Sequence, residues 1–287
     1  MTNTHQKTIA NAIGCSSIAL HSGKNVNLKF LSAPINSGIL FKRTDVNTTN
    51  NIIDAKFSSV TTTNLGTTIA NEQKVAVSTI EHLMSAIWAS NIDNLLIEID
   101  HQEVPIMDGS ASPFLFLLQC AGIVTQEAQK KYLIINQPID FVQDSKFIKA
   151  KPSNNFKLAL TIDFNNPHIA HNQLVFDTNQ HSFKDNIAKA RTFCFKHEIE
   201  QMYQMNLAKG GSLENAIVID DNGIVNQDGL RYPNEFIKHK ALDFIGDIFL
   251  SGYYVLADFT AHKTGHTLNN QFLHHLFSKP DCFYLSN

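Results

Sequence analysis

The chain has 287 residues, of which 43% are hydrophobic and 17% charged, a composition typical of a globular protein and not of a disordered one. A net charge of −3 without any block of Lys or Arg argues against nucleic-acid binding. The four scattered cysteines indicate neither a disulfide scaffold nor a zinc knuckle. No signal peptide or membrane-spanning run is apparent, so a cytoplasmic location is expected.

The first half of the chain predicts a small unit of strands and helices. Apolar and polar residues alternate over 26–30, which favours a half-buried strand. Ser78 and Glu81 have the spacing of a capping box, so a helix is predicted to begin there. The remaining predicted elements are a hairpin around the turn-like NEQK at 71–74, a buried strand over 94–99, and a helix between Ser112 and Gly122.

The second half repeats this order of strands first and a polar-faced helix later. The predicted elements are a strand over 156–164, a hairpin around 221–223, a helix over 235–247 with Asn234 as N-cap, and a helix from about His266 to Phe277. This repetition predicts an α+β fold made of two similar domains. The polar segment EAQKK predicts a linker at 127–131, with one domain over 1–126 and the other over 132–287.

The helix predicted over 235–247 has three ionisable residues on one side. His239, Asp243 and Asp247 follow one another at steps of four, opposite an apolar side. Imidazole and carboxylate at such a spacing can reach one ion, and zinc accepts both kinds of ligand. The other interpretation is a helix face in contact with solvent, and the spacing alone leaves both open.

The first helix offers a second histidine. His82 lies on the side away from the apolar stripe of that helix, and Glu81 immediately precedes it. In metalloproteases with an H-E-x-x-H motif, the general base likewise adjoins a zinc ligand. The alternative is that Glu81 only completes the capping box with Ser78, because the chain contains no H-E-x-x-H motif.

His266 is the third candidate. It follows Lys263 at the start of the last predicted helix, where the helix dipole disfavours an imidazolium. A carboxylate such as Asp247 within reach would restore its basicity and make it a proton donor near neutral pH. The alternative is a surface histidine in a loop. Lys240 and Lys263 flank these residues and could meet phosphate, although both could equally be surface lysines.

Several segments resemble the UDP-3-O-acyl-N-acetylglucosamine deacetylase family, also called LpxC, the zinc enzymes of early lipid A synthesis. They are ALHSG (19–23), STIEHLMSA (78–86), IDNLLIEID (92–100), PIMDGSASPFLFLLQ (105–119), ARTFCF (190–195), GGSLENAIVIDD (210–221), DGLRYPNEFIKHKALDFIGD (228–247) and FTAHKTGHTLNN (259–270). The resemblance covers nearly the whole chain in the same order. It implies two α+β domains, each a mostly antiparallel sheet layered with helices, with the active site between them.

The resemblance also implies a role for individual residues. The implied zinc ligands are His82, His239 and Asp243. The implied catalytic residues are the base Glu81, the acid His266, its partner Asp247, and Thr192 as a donor to the oxyanion. The implied substrate contacts are Lys240, Lys263, Phe164 and Phe193 for the sugar nucleotide. An inserted element over 193–219 would form a passage for the acyl chain, lined by Ile199, Gly211, Ser212 and Ala216.

The expected activity is therefore zinc-dependent removal of the N-acetyl group from an acylated UDP-sugar by a monomeric protein. The ligand set of two histidines and one aspartate also suits Fe²⁺. Two alternatives are a zinc amidase acting on another acylated amino sugar, and a protein that binds an acylated sugar nucleotide without catalysis.

Overall fold

The structure is a computed structural model that describes residues 4–164, 166–169 and 172–286. The strands of the first half are β1 (His5–Ile9), β2 (Ile13–Ile18), β3 (Asn25–Ser32), β4 (Ile39–Arg43), β5 (Ile52–Asp54), β6 (Val60–Thr62), β7 (Thr68–Ala70), β8 (Ala76–Val77), β9 (Leu95–Ile99) and β10 (Ile123–Gln129). Those of the second half are β11 (Tyr132–Ile135), β12 (Ile139–Gln143), β13 (Lys146–Pro152), β14 (Phe156–Thr161), β15 (Gln173–Asp177), β16 (Phe193–Phe195), β17 (Ile217–Asp220), β18 (Gly223–Ile224), β19 (Tyr254–His262) and β20 (Phe283–Leu285).

Six α-helices accompany these strands in the described residues. They are α1 (Glu81–Ala89), α2 (Ser112–Ala121), α3 (Phe183–Asn186), α4 (Lys196–Gln204), α5 (Glu235–Phe249) and α6 (His266–Phe277). None of them is long and apolar enough to cross a membrane.

The two largest sheets have the same topology. In the first half the strand order is β2-β3-β9-β4-β5, with β3 antiparallel and β4 parallel to the central strand β9. In the second half the corresponding order is β12-β13-β19-β14-β15, with β13 antiparallel and β14 parallel to β19. Helices α1 and α2 flank β9 in the chain as α5 and α6 flank β19. The predicted α+β fold of two similar units is therefore confirmed.

Three smaller sheets and two extra strands complete the architecture. Strands β11 and β20 extend the second large sheet beyond β19. The small sheets are β1-β10, β6-β7-β8 and β16-β17-β18. The last of these contains the predicted hairpin around 221–223, and the second contains the predicted hairpin around 71–74. Both hairpin predictions are confirmed.

Helices α1 and α5 pack against each other within one continuous apolar core formed by both halves. Seven of the nine residues of α1 and thirteen of the fifteen of α5 are buried. The backbones of the two helices are in close contact at Gly246, where a Cβ atom would lie 2.1 Å from the carbonyl oxygen of Glu81. Only glycine fits at this contact, and it brings residues of α1 and α5 within reach of each other.

The predicted capping box at Ser78 is wrong. Helix α1 begins at Glu81 with Ile80 before it, and no side chain caps its first turn. The hydroxyl of Ser78 instead donates to the carbonyl oxygen of Gln102, in a short bridge between two extended segments. The carboxylate of Glu81 is therefore available for another contact. By contrast, the two predicted helices of the second half are present, and the strand predicted over 156–164 is present but ends at Thr161.

The segment predicted as a linker, 127–131, is mostly regular structure. Its first three residues continue β10, which pairs with β1. Lys130 is buried and forms an ion pair with Asp93 at 3.3 Å, while its ammonium group lies 3.8 Å from the ring centre of Tyr254. Burial lowers the pKa of Lys130 to about 8 although Asp93 opposes this shift. An ordered segment thus joins the two sheets, and the exact domain boundary stays a prediction.

Candidate active site

The polar stripe of α5 is buried. His239, Asp243 and Asp247 are respectively 4%, 2% and 2% exposed. The stripe lies beside α1, because the two helices pack against each other along this region. The interpretation as a helix face in contact with solvent is therefore excluded. Buried ionisable groups are costly unless they have partners, which makes their surroundings informative.

Three of the predicted residues form a compact group. The Nε2 atom of His82 lies 3.6 Å from Oδ1 of Asp243, and Nε2 of His239 lies 3.5 Å from the same oxygen. Their candidate ligand atoms all lie within 4.8 Å of one another, and among the described residues this is the one group of at least three with metal-ligand spacing. Helix α1 contributes one ligand and α5 contributes two.

The chemistry of this group fits a divalent cation. Oδ1 of Asp243 is buried and has no hydrogen-bond donor, whereas Oδ2 accepts a bond of 2.8 Å from Nζ of Lys240. Ligands about 2.0–2.1 Å from a tetrahedral zinc ion are about 3.3–3.4 Å apart, close to the separations between Asp243 and the two histidines. A cation would satisfy the free carboxylate oxygen, so these three residues are suitable ligands.

The protonation states of the group also suit metal binding. Burial lowers the pKa of His239 to about 3 although Asp243 opposes this shift, so the imidazole is neutral and has a free lone pair. Burial would raise the pKa of Asp243, but nearby cationic groups, among them the ammonium group of Lys240, outweigh it and hold that pKa well below its ordinary value. Neutral imidazole and ionised carboxylate are the forms that bind a cation.

Glu81 lies beside this group without belonging to it. Its Oε2 atom accepts a bond of 2.9 Å from the backbone N–H of Thr67, and its Oε1 atom is 3.9 Å from Nε2 of His266. Burial raises the pKa of Glu81 and outweighs the opposing effects of His266 and His82. A carboxylate with a raised pKa is a better proton acceptor near neutral pH, as a general base requires.

His266 forms a hydrogen-bonded pair with Asp247. Its Nδ1 atom lies 2.8 Å from Oδ2 of Asp247, which also accepts a bond of 2.7 Å from Asn269. The Nδ1 atom of His266 donates to the carboxylate oxygen of Asp247, and Nε2 on the other side of the ring is directed toward Glu81. Burial would lower the pKa of His266, but Asp247 and Glu81 outweigh it and raise the pKa to about 9. The imidazole is therefore protonated at neutral pH.

His82, His239, Asp243, Glu81 and His266 border one open cavity of about 660 Å³, whereas Asp247 lies behind His266 and does not line it. The predicted residues that line it are Glu81, His82, Phe164, Thr192, Phe193, His239, Lys240, Asp243, Lys263 and His266. The rings of Phe164 and Phe193 pack edge to face with centroids 5.5 Å apart, which gives the cavity an aromatic wall. Lys263 forms an ion pair with Asp163 at 2.6 Å, so its ammonium group is held at the cavity rim.

The family profile described as LpxC, UDP-3-O-acyl N-acetylglycosamine deacetylase, matches residues 6–278 of the chain. The chain belongs to the LpxC family. Curated relatives from Shewanella sp. (strain ANA-3), Shewanella baltica and Shewanella oneidensis are each 45% identical over 282 residues. Each match covers 98% of this chain and 92% of the relative, and each relative is named UDP-3-O-acyl-N-acetylglucosamine deacetylase.

Four residues assigned from the LpxC resemblance to the acyl passage do not line the described cavity; they are Ile199, Gly211, Ser212 and Ala216. Ile199 lies half-buried on α4, and the other three belong to the turn that leads into β17. Their role in an acyl passage stays a prediction. The cavity nevertheless opens beside the predicted insert, because residues 193–195 of β16 and Glu198 of α4 are among its lining.

Two residues that hydrogen-bond to Asp247 escaped the sequence analysis. Asn269 donates to Asp247 from the first turn of α6, and its position three residues after His266 was a usable signal because both share a helix face. Thr67 donates to Asp247 from a segment just before β7. Nothing in its local sequence distinguishes it, since only tertiary packing brings it to this site.

Proposed function

We propose that this chain hydrolyses the N-acetyl group of UDP-3-O-(3-hydroxyacyl)-N-acetylglucosamine in lipid A biosynthesis, giving acetate and the free amine. Membership of the LpxC family and the names of the curated relatives support this proposal. The observation that carries it is the group of His82, His239 and Asp243 beside a buried carboxylate and a protonated imidazole. Amide hydrolysis needs a base for water, a charge stabiliser for the carbonyl and an acid for the amine.

The proposed cofactor is Zn²⁺ held by His82, His239 and Asp243, and Fe²⁺ also suits this ligand set. When bound, such a cation supplies Lewis acidity that polarises a carbonyl and makes a nearby water more acidic. The three residues that would hold the cation come from helices of both halves, and all three line the cavity.

In the proposed mechanism, Glu81 and His266 divide the proton transfers. Glu81 accepts a proton as the oxygen of water bonds to the acetyl carbon, and the hydroxyl of Thr192 donates to the oxyanion that forms. His266 then gives its Nε2 proton to the glucosamine nitrogen as the C–N bond breaks. Asp247 keeps the ring oriented through Nδ1. Acetic acid and a neutral amine result, and the acid then loses its remaining proton to water to give acetate.

The substrate contacts are part of the same proposal. Lys240 and Lys263 bring positive charge to the cavity and suit the diphosphate, while Phe164 and Phe193 offer aromatic faces to the nucleotide. The acyl chain would follow the predicted insert over 193–219, where burial of each methylene stabilises the complex by roughly 0.8 kcal/mol. The proposed setting is the cytoplasm, with the protein acting as a monomer on this acylated UDP-sugar.

Metal analysis combined with a deacetylation assay tests this function. We expect the purified protein to contain zinc or iron and to release acetate from the acylated UDP-sugar. Removing the 3-O-acyl chain should lower kcat/KM, by about fourfold for each methylene that is buried. Equal turnover without the acyl chain would instead indicate an amidase for another amino sugar. Tight binding without acetate release would indicate a non-catalytic binding protein.

The pH dependence of activity should depend on Asp247. Asp247→Asn removes the negative charge that raises the pKa of His266 but leaves the burial that lowers it. We therefore expect the alkaline limb of the pH–rate profile to move toward lower pH, with activity at pH 8 falling more than activity at pH 6. In the wild type that limb should lie below about 9, because a bound cation repels the proton on His266.

The matched control for this pH profile is Asp177→Asn, which alters a buried carboxylate outside the cavity. Its profile should keep the wild-type shape. An alkaline limb at the same pH in Asp247→Asn and in the wild type would contradict the assignment of His266 as the acid paired with Asp247.

A further inference from the structure

Thr67 makes two hydrogen bonds to the proposed catalytic machinery. Its backbone N–H donates to Oε2 of Glu81 at 2.9 Å, and its hydroxyl donates to Oδ1 of Asp247 at 2.7 Å. The residue is 1% exposed and lies immediately before β7. In the second bond the threonine hydroxyl is the donor and the carboxylate oxygen is the acceptor.

These two bonds, a third hydrogen bond and one ion pair connect four residues in a ring. Asp247 uses its other oxygen, Oδ2, to accept from Nδ1 of His266 at 2.8 Å. Nε2 of His266 lies 3.9 Å from Oε1 of Glu81, whose Oε2 is held by Thr67. The ring draws on α1, α5, α6 and the segment before β7. Thr67 is the member that hydrogen-bonds to both carboxylates, and unlike His266 it has no ionisable side chain.

We propose that Thr67 is a positioning residue that fixes the general base and the partner of the general acid relative to each other. This inference rests on the proposed function. Buried carboxylates hold their charge and orientation only when donors satisfy their oxygens. The β-branched side chain of threonine has few rotamers, so its hydroxyl is a well-defined donor.

The hydroxyl of Thr67 is the group that holds the carboxylate of Asp247 in position. Without it, Oδ1 of Asp247 would lose its donor while Oδ2 kept His266 and Asn269. The carboxylate would then be free to turn about its Cβ–Cγ bond, and the ring of His266 would follow it. The proton on Nε2 would no longer be held beside Glu81 and the cavity.

Two substitutions at position 67 test the proposal. Thr67→Val keeps the size, the branching and the backbone N–H but removes the hydroxyl, whereas Thr67→Ser keeps the hydroxyl. We expect Thr67→Val to lower kcat by about 10–100-fold with KM and metal content unchanged, as loss of a supporting hydrogen bond commonly does. The kcat of Thr67→Ser should stay within about threefold of the wild-type kcat.

The matched control is Thr68→Val, which changes the neighbouring buried threonine. Successive side chains in an extended segment point to opposite faces, so this change should leave kcat unaltered. Thermal unfolding of all three variants checks that each is folded at the assay temperature. A kcat for Thr67→Val within twofold of the wild type, or an equally low kcat for Thr67→Ser, would overturn the proposal.

A measurement independent of turnover separates this inference from the proposed function. The Nδ1 proton of His266, hydrogen-bonded to Asp247, should give a downfield proton NMR signal in the wild type, Thr67→Ser and Thr68→Val. Thr67→Val should broaden or lose it. Loss of the signal in a protein that releases no acetate would support the positioning role and refute the function. A signal unchanged in Thr67→Val would refute the positioning role, whatever the activity.

Discussion

Replacing Glu81 by glutamine is expected to lower kcat by about 10²–10⁴-fold, the usual contribution of a general base. The amide has the size of the carboxylate, and its oxygen can still accept from the backbone N–H of Thr67. It cannot accept the proton of water, however. Because Glu81 is not among the three residues with metal-ligand spacing, the variant should keep its metal. Steady-state deacetylation rates and metal content measure both effects.

Glu98→Gln is the matched control for this experiment, since Glu98 lies on β9 in the same half of the chain and pairs with Lys42 outside the cavity. Its kcat should equal that of the wild type. If Glu81→Gln kept more than half of the wild-type kcat, another group would have to be the base. If the protein bound the acylated sugar nucleotide without catalysis, the wild type, Glu81→Gln and Glu98→Gln would all bind the substrate equally well.

Replacing Asp243 by alanine is expected to remove both the metal and the activity. The carboxylate supplies the one buried oxygen without a donor in the ligand group, and it also pairs with Lys240. Substitutions next to metal ligands commonly cost 10–100-fold, so loss of a ligand should lower kcat/KM by more than about 10²-fold. His82→Ala, on helix α1, should also remove the metal and the activity. The same loss from substitutions on two helices would show that the effect arises at the metal site and not from a disturbance of α5 alone.

The control for these variants is His274→Ala, which removes an exposed histidine of α6 that does not line the cavity. It should bind metal and release acetate as the wild type does. Elemental analysis after dialysis gives the metal content, and circular dichroism confirms the fold. Wild-type metal content and rate in both Asp243→Ala and His82→Ala would contradict the proposed metal site.

Local sequence patterns predicted helices α5 and α6, which bear several residues of the site, because both helices have a clear helical spacing of apolar residues. Helix α6 runs from His266 to Phe277 as predicted, and the helix predicted over 235–247 extends only two residues further. Periodicity also placed His239, Asp243 and Asp247 on one side of α5. It could not tell what that side contacts, since a polar stripe looks the same in the sequence whether water or another helix covers it.

Features that depend on contacts between distant segments were not predictable in this way. Ser78 and Glu81 have the spacing of a capping box, but Ser78 is held by Gln102 and Glu81 by Thr67. The roles of individual residues came from the resemblance to the LpxC family and not from spacing. The bonds from Thr67 to Glu81 and Asp247 required the folded chain, because nothing within a few residues of position 67 indicates them.

The glycine contact between α1 and α5 has a consequence for how such a chain can change during evolution. At Gly246 the main chain of α5 almost touches the carbonyl of Glu81, so the spacing between these helices is determined by backbone atoms. Substitutions among the side chains of the cavity wall can therefore accumulate, and alter the shape and charge of the cavity, while this spacing persists. Position 246 itself does not tolerate substitution, because even the methyl group of alanine would push the two helices apart.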